Sequence, residues 1–138
     1  MSRLSQLTTV VRVAELRETV ARSKVAAASA AVATARTVRC ERLETLAGTR
    51  LDGADVASSA RLLQWRAEAV RTAEQDVEAA AAFRLTAVAD RVGAARHAKL
   101  LRRLNDRLLT EENSRWLVAE QRTADDSTAA RHLRGRQP

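Results

Sequence analysis

The 138-residue sequence has little of what most globular folds are built from. It contains no tyrosine, no isoleucine, one phenylalanine, two tryptophans, one cysteine and one proline. Because aromatic and β-branched residues dominate sheets, a composition with only Val and Thr of that class argues against a sandwich, a barrel or a doubly wound sheet. The 29 alanines each bury little surface, so a thick core is not expected. The single Cys40 excludes an internal disulfide and a cysteine-rich metal site.

Long apolar runs are also missing. The longest is residues 79–83, far below the roughly 20 residues that cross a bilayer, and no signal peptide is visible, so we expect a cytoplasmic protein without membrane insertion. His97 and His132 lie far apart, and no Gly-rich phosphate loop is present. We therefore predict that the chain is not an enzyme and has no catalytic residue, no metal, no cofactor and no small-molecule substrate.

What remains is a helical composition rich in Ala, Arg, Leu and Glu. The only cluster of helix breakers lies between residues 48 and 55, so one turn should separate two helices. The predicted fold is all-α, an antiparallel two-helix coiled-coil hairpin with a longer C-terminal helix. As a single domain it comprises a helix over 4–48, a turn over 49–55, a helix over 56–133 and a flexible tail over 134–138.

The turn carries recognisable capping residues. Gly48 is expected to be a left-handed C-cap, and Asp52-Gly53 is a turn dipeptide. Asp55 or Ser58 is expected to accept the free amides that open the second helix.

Apolar residues recur every three or four positions in both helices, which predicts a coiled-coil seam. In the first helix the predicted seam comprises Leu4, Leu7, Val11, Ala14, Ala21, Val25, Ala28, Val32 and Ala35, interrupted by Glu18, and continues through Arg39, Leu43 and Leu46. In the second helix it comprises Val70, Ala73, Val77, Ala81, Leu85, Val88, Val92 and Ala95. Val10, Val13, Leu16 and Val20 widen the first stripe, so a second surface is expected to be covered there.

The two helices differ in length, which leaves part of the second without an intramolecular partner. With the turn near residue 52, Leu4 should lie opposite about residue 100. Beyond it the chain is rich in large apolar residues: Leu100, Leu101, Leu104, Leu108, Leu109, Trp116, Leu117 and Val118. Such a stripe is retained in water only when it packs, so the segment folds back, dimerises or docks on another protein, and docking is the favoured interpretation.

Charge is banded along the same region. Residues 95–110 carry five basic side chains and one acidic, a net +4, and residues 111–126 carry five acidic and two basic, a net −3. Three arginines then follow near the C-terminus. This layout suits a partner with complementary charge.

The order of these elements resembles the FliJ family, small components of the bacterial flagellar type III export apparatus. The resemblance is carried by Leu100-Leu101-Arg102-Arg103-Leu104, Glu111-Glu112, Trp116-Leu117, Ala119-Glu120-Gln121, Asp125-Asp126 and Ala129-Ala130-Arg131, together with the N-terminal repeat and the position of the turn. The chain departs from the family in having no tyrosine and one phenylalanine, where several members place aromatic residues near the turn.

The resemblance implies a central stalk of the hexameric export ATPase, which links the ring to the cytoplasmic domain of the export gate and to export chaperones. It implies a cytoplasmic protein peripheral to the inner membrane and acting in flagellum biogenesis and motility. The implied ATPase-ring contacts are Leu104, Arg107, Leu108, Glu112, Arg115, Trp116, Glu120 and Arg122. The implied gate contacts are Leu43, Leu46, Leu62, Trp65 and Ala69, although Trp65 is equally suited to capping the hairpin's own core.

Two alternatives stay open. One is a self-associating coiled-coil scaffold in which two hairpins pair their long helices. The other is a basic nucleic-acid-binding coiled coil, suggested by the net charge of +7, although the first 47 residues mix acidic and basic side chains, unlike the basic region of a zipper protein.

Overall fold

A computed structural model describes residues 3–53 and 55–135. It contains two long helices, α1 (Arg3–Ala47) and α2 (Val56–Arg134), and no strand among the described residues. The predicted all-α hairpin with a longer second helix is therefore confirmed, and each helix boundary lies within one residue of its predicted place. Of the predicted tail, Arg134 belongs to α2, and residues 136–138 lie outside the described residues.

The turn between the helices is closed mainly by Gly53 and Asp55. Gly53 has a φ of 76°, a left-handed conformation that glycine adopts without steric cost. Asp55 caps α2, because its Oδ1 accepts the Ser58 amide at 2.6 Å. The prediction of a left-handed Gly48 was wrong, since Gly53 is the only described glycine with positive φ. The Gly48 amide instead donates to the Glu44 carbonyl at 2.8 Å and simply extends the helical bonding pattern by one step.

The seam of α1 follows a strict seven-residue repeat. All of its positions from Leu4 to Leu46, spaced alternately by three and four, are buried or half-buried, which confirms the predicted seam as far as Ala35. Beyond it the prediction was wrong at Leu43, which is exposed, whereas Arg42 is half-buried. Arg42 takes this place because its aliphatic stem covers the seam while its Nη1 donates to the Ala69 carbonyl at 3.0 Å.

The seam of α2 departs from the predicted track and keeps the repeat less strictly than α1, since Arg84 and Arg91 occupy repeat positions but are exposed. Val70, Ala73, Ala87 and Ala98 are buried, as the spacing of three and four requires. The predicted members Leu85, Val88 and Val92 are exposed, Leu85 to 73%. Val77, Ala81 and Leu85 are spaced by four residues each, whereas a seven-residue repeat alternates spacings of three and four. The predicted apolar stripe therefore rotates away from the face of α2 that contacts α1.

Contacts divide the chain into two compact units. Unit 1 joins the N-terminal part of α1 to the C-terminal part of α2, with described residues 3–15 and 96–135. Unit 2 is Leu16–Ala95 and includes the turn.

The helices run antiparallel within each unit. In unit 1 the Thr8 hydroxyl lies 3.5 Å from Asn105 Oδ1, and Glu15, further along α1, pairs with Arg102, further back along α2. In unit 2 Arg42 reaches the Ala69 carbonyl, and Arg66 Nη1 donates to the Thr45 carbonyl at 3.2 Å. Higher numbers on one helix therefore meet lower numbers on the other in both units.

The most deeply buried side chains are the smallest. Ala98 is 0% exposed, Ala73 1% and Ala28 2%. A seam lined by methyl groups lets the two backbones approach closely. The helices therefore pack through close backbone contact and small side chains, and not through interdigitating large side chains. The leucines of the seam, such as Leu7 and Leu101, are accordingly only half-buried.

Candidate functional site

The C-terminal segment, which we define as residues 109–134 of α2, has no covering partner in the described chain. Every residue from Leu109 to Gly135 is exposed, and Trp116 is 64% exposed. The sequence accounts for this boundary. The α2 seam ends with Leu101, Asn105 and Leu108, and the next positions of the repeat are occupied mainly by charged residues: Glu112, Arg115, Ala119, Arg122 and Asp126.

The uncovered region begins later than the sequence predicted. Leu101, Asn105 and Leu108 are half-buried, so α1 still covers α2 beyond residue 100. Thr8 lies beside Asn105, and α1 begins five residues before Thr8, so α1 runs out beside about residue 110 rather than beside about residue 100. The earlier estimate assumed a tight turn near residue 52, whereas α2 begins only at Val56.

The predicted ATPase-ring residues fall on both sides of this boundary. Leu104 is exposed within the covered part of unit 1, and Leu108 is half-buried in the seam. The others are all exposed on α2: Arg107, Glu112, Arg115, Trp116, Glu120 and Arg122. The set shares a segment of helix, and Leu108 is its one member whose side chain mainly packs within the chain.

The two flanks of the seam in unit 1 differ in chemistry. Glu15 and Arg102 each directly follow a seam residue, and Arg102 Nε lies 2.8 Å from Glu15 Oε1. Val10 and Leu104 each directly precede a seam residue, which places them on the opposite flank of an antiparallel pair. One flank is therefore closed by an ion pair.

The opposite flank carries four exposed aliphatic side chains. Val10 and Val13 of α1 and Leu100 and Leu104 of α2 are all exposed, and we call these four residues the aliphatic patch. The expected covering of Val10, Val13, Leu16 and Val20 is not found in this chain, because all four are exposed. Sequence spacing alone identified the two valines but not their alignment with Leu100 and Leu104.

Near the turn, unit 2 carries an open groove of about 350 Å³. Its lining residues are Arg42, Thr45, Trp65, Arg66, Glu68, Ala69 and Thr72. Trp65 is 69% exposed and forms part of the wall, so it does not cap the core. Of the predicted gate contacts, the groove brings together Trp65 and Ala69.

The remaining predicted gate contacts are dispersed. Leu46 occupies a half-buried seam position, and Leu62 is half-buried two turns before Ala69. Leu43 is exposed but directly follows Arg42 in the seam, which directs it to the other flank. The predicted gate surface is thus not one continuous patch.

Two arginines that were not predicted at the helix contact, Arg42 and Arg66, build this groove. Arg66 donates to the Thr45 carbonyl and to the Thr49 hydroxyl, and Arg42 donates to the Ala69 carbonyl, so both cross-link α1 to α2. The Nε atoms of Arg39 and Arg66 are buried without a hydrogen-bond partner. Arg39 was predicted in the seam, whereas the charge of Arg42 and Arg66 concealed their position in the seven-residue repeat.

A second groove, of about 310 Å³, lies elsewhere in unit 2. It is lined by Ala21, Lys24, Ala27, Phe83, Thr86, Ala87 and Asp90. Phe83 ends the longest apolar run in the sequence and is exposed on this surface.

The titratable groups are placed for structure and surface charge. The pKa of Asp55 is lowered mainly because the Ser58 amide stabilises its carboxylate, with the Ser58 side chain as a further donor, and both contacts belong to the helix cap. Among residues 3–53 and 55–135, no group of three or more His, Cys, Asp or Glu side chains is placed to hold a metal ion. Neither helix, over its described residues, has a stretch apolar and long enough to span a membrane.

Comparison with known proteins finds no match for this chain among protein-family models, curated proteins or solved structures. The resemblance to the FliJ family rests on the residues quoted for it, and the function it implies stays a prediction.

Proposed function

We propose that this chain is a non-enzymatic component of a type III protein export apparatus of the flagellar kind, and that it acts as the central stalk of the hexameric export ATPase. The observation that carries the proposal is the C-terminal segment, which is helical and exposed throughout. A helix that keeps Trp116, Leu117 and Val118 in water gains most of its stability when a second surface covers them. The inner wall of a protein ring is such a surface.

The charge of the segment supports the same partner. Acidic and basic side chains alternate along it, with Glu111 and Glu112 followed by Arg115, and Glu120 followed by Arg122. Mixed charge around an apolar centre is typical of protein interfaces, where the charged rim sets orientation and the apolar centre supplies most of the affinity.

The groove near the turn is the proposed contact for the cytoplasmic domain of the export gate. Trp65 supplies an exposed aromatic anchor, and Ala69 supplies a shallow floor beside it. Export chaperones are further proposed partners. The place of action that follows is the cytoplasmic face of the inner membrane, through these partners and without insertion of the chain.

The direct test mixes the full chain with the hexameric flagellar export ATPase. We expect a stable complex that survives moderate salt and faster ATP hydrolysis. A nucleic-acid-binding protein of the same charge would instead bind DNA or RNA with an affinity that falls steeply as salt rises. If no complex with the ATPase formed at all the salt concentrations tested, the assignment as a central stalk would be refuted.

A further inference from the structure

We propose that two copies of this chain form an antiparallel dimer through unit 1, in which Leu117 and Val118 of each copy pack on the aliphatic patch of the other. The dimer forms from the isolated chain, so its test needs no ATPase. Its two-fold axis crosses α2 between residues 110 and 111.

The face of α2 that forms the contact is defined by helical periodicity. The spacing of four apolar residues along α2 brings them to one side of the helix, away from the seam: Leu100, Leu104, Leu117 and Val118. All four are exposed, and Trp116 lies on a different side. The dimer face therefore leaves Trp116 free, but it shares Leu104, Leu117 and Val118 with the surface proposed for the ring, so the two partners would compete for these residues.

The charge bands fix the direction of pairing. The basic residues 96–110 and the acidic residues 111–126 are adjacent and of nearly equal length, each about 23 Å of helix. When a second copy runs antiparallel, with the axis at the junction of the two bands, the basic band of each copy lies beside the acidic band of the other. A parallel second copy would place like charges side by side, which is repulsive.

The apolar residues independently give the same register. With the axis between residues 110 and 111, Leu104 of one copy is level with Leu117 of the other, and Val118 lies beside them. Arg96 is level with Asp125 in the same register, and both side chains are exposed on the contact face. Apolar matching and charge matching thus agree on one alignment.

Unit 1 presents this face ready formed. Val10 and Val13 extend it onto α1, so Leu117 and Val118 of the second copy enter a contact made by two helices rather than one. The Glu15–Arg102 pair closes the opposite flank, which leaves the aliphatic patch as the apolar side of unit 1. The chain's own C-terminal segment does not reach the patch, because α2 continues without interruption to Arg134.

Sedimentation equilibrium of the full chain over about three decades of concentration tests the dimer. We expect a monomer–dimer equilibrium that weakens with salt. Arg96→Asp and Asp125→Arg should each weaken dimerisation about tenfold, and the two together should restore it to within about threefold of the wild type. A chain that stays monomeric throughout, or a double variant as weak as the single variants, overturns the proposal and leaves the patch to a foreign protein.

Site-directed cross-linking tests the register. In a Cys40→Ser background, Thr110→Cys places a thiol next to the axis, where a short bis-maleimide should link the two copies. The matched Thr123→Cys places its thiols about 38 Å apart along the helix and should give no dimer. Efficient cross-linking at position 123 but not at 110 would refute this alignment. Circular dichroism of every variant must match the wild type, because each changed residue is exposed.

Discussion

The seam of unit 2 and the C-terminal segment of α2 are both helical, yet they use apolar residues in opposite ways. The seam buries alanine, with Ala28 and Ala73 almost fully covered, whereas the C-terminal segment exposes Trp116, Leu117 and Val118. Burial in α1 follows position in the seven-residue repeat rather than hydrophobicity, since Leu16 is exposed and Ala14 is buried. The C-terminal segment leaves its large apolar side chains exposed in the described chain.

The largest expected effect is on the C-terminal surface. The double variant Leu104→Asp, Trp116→Asp should weaken ATPase binding, and the stimulation of ATP hydrolysis, by at least about thirtyfold. An aspartate that loses its water in an apolar contact is strongly unfavourable. Helical content should not change, since both residues are exposed. Binding is measured by co-purification, and stimulation by the rate of ATP hydrolysis.

The matched control introduces the same charge at two exposed apolar residues of unit 2. Phe83→Asp with Leu85→Asp should leave ATPase binding within about twofold of the wild type. Equal loss in both variants would mean that charge in general, and not this surface, governs binding. Loss of helicity in the first variant would show that its residues support the fold.

The next effect concerns the seam. Ala73→Leu should lower the free energy of unfolding by about 2 kcal/mol, because three extra carbon atoms enter a close helix contact. Urea unfolding followed by circular dichroism measures the change. The same substitution at the exposed Ala119 should stay within about 0.5 kcal/mol of the wild type. Equal effects at the two alanines would contradict the contrast between seam and C-terminal segment.

A smaller effect is expected at the groove near the turn. Leu43→Ala with Trp65→Ala should weaken binding of the export gate domain about tenfold, because truncation of an aromatic anchor typically costs about 1 to 2 kcal/mol. Binding to the ATPase should be unchanged. Since Leu43 lies on the other flank, Trp65→Ala alone should account for most of the loss. An equal loss of binding to the gate domain and to the ATPase would indicate that the hairpin has unfolded.

The smallest effect is expected at the helix cap. Asp55→Ala removes the carboxylate that accepts the Ser58 amide, so the thermal midpoint at neutral pH should fall slightly. Because folding lowers the pKa of Asp55, its contribution is present above the ordinary pKa of an aspartate and is lost as pH falls through the folded-state pKa. The difference between wild type and variant should therefore vanish in acid. Asp52→Ala, in the turn but not at the helix cap, is the control and should show a smaller difference at neutral pH.

Prediction from sequence succeeded where local chemistry is sufficient. The absence of breakers outside the turn set the helices, and Gly53 and Asp55 behave as their backbone and capping preferences require. It failed where two apolar spacings compete. Leu43 and Arg42 are neighbours, and a hydrophobicity scale favours the leucine, yet the repeat places the arginine in the seam and a backbone carbonyl satisfies it.

The candidate surfaces also divide into one that the sequence predicted and others that it did not. Exposure of Trp116 was expected, because α1 is too short to reach it. The groove at Trp65 and the aliphatic patch were not expected as units, because each combines residues from both helices. Which residues of α1 face which residues of α2 depends on where the turn lets α2 begin.

The amino-acid sequence by itself determined two helices, their ends, and a C-terminal stretch that the first helix is too short to cover. These follow from propensity, capping and length, which act within a few residues of the chain. The tertiary structure alone decided the register: Thr8 beside Asn105, Arg42 on the Ala69 carbonyl, and Val10 and Val13 on the same flank as Leu100 and Leu104. Register requires both helices at once, because a seam of alanines accepts several offsets and the contacts across it select one.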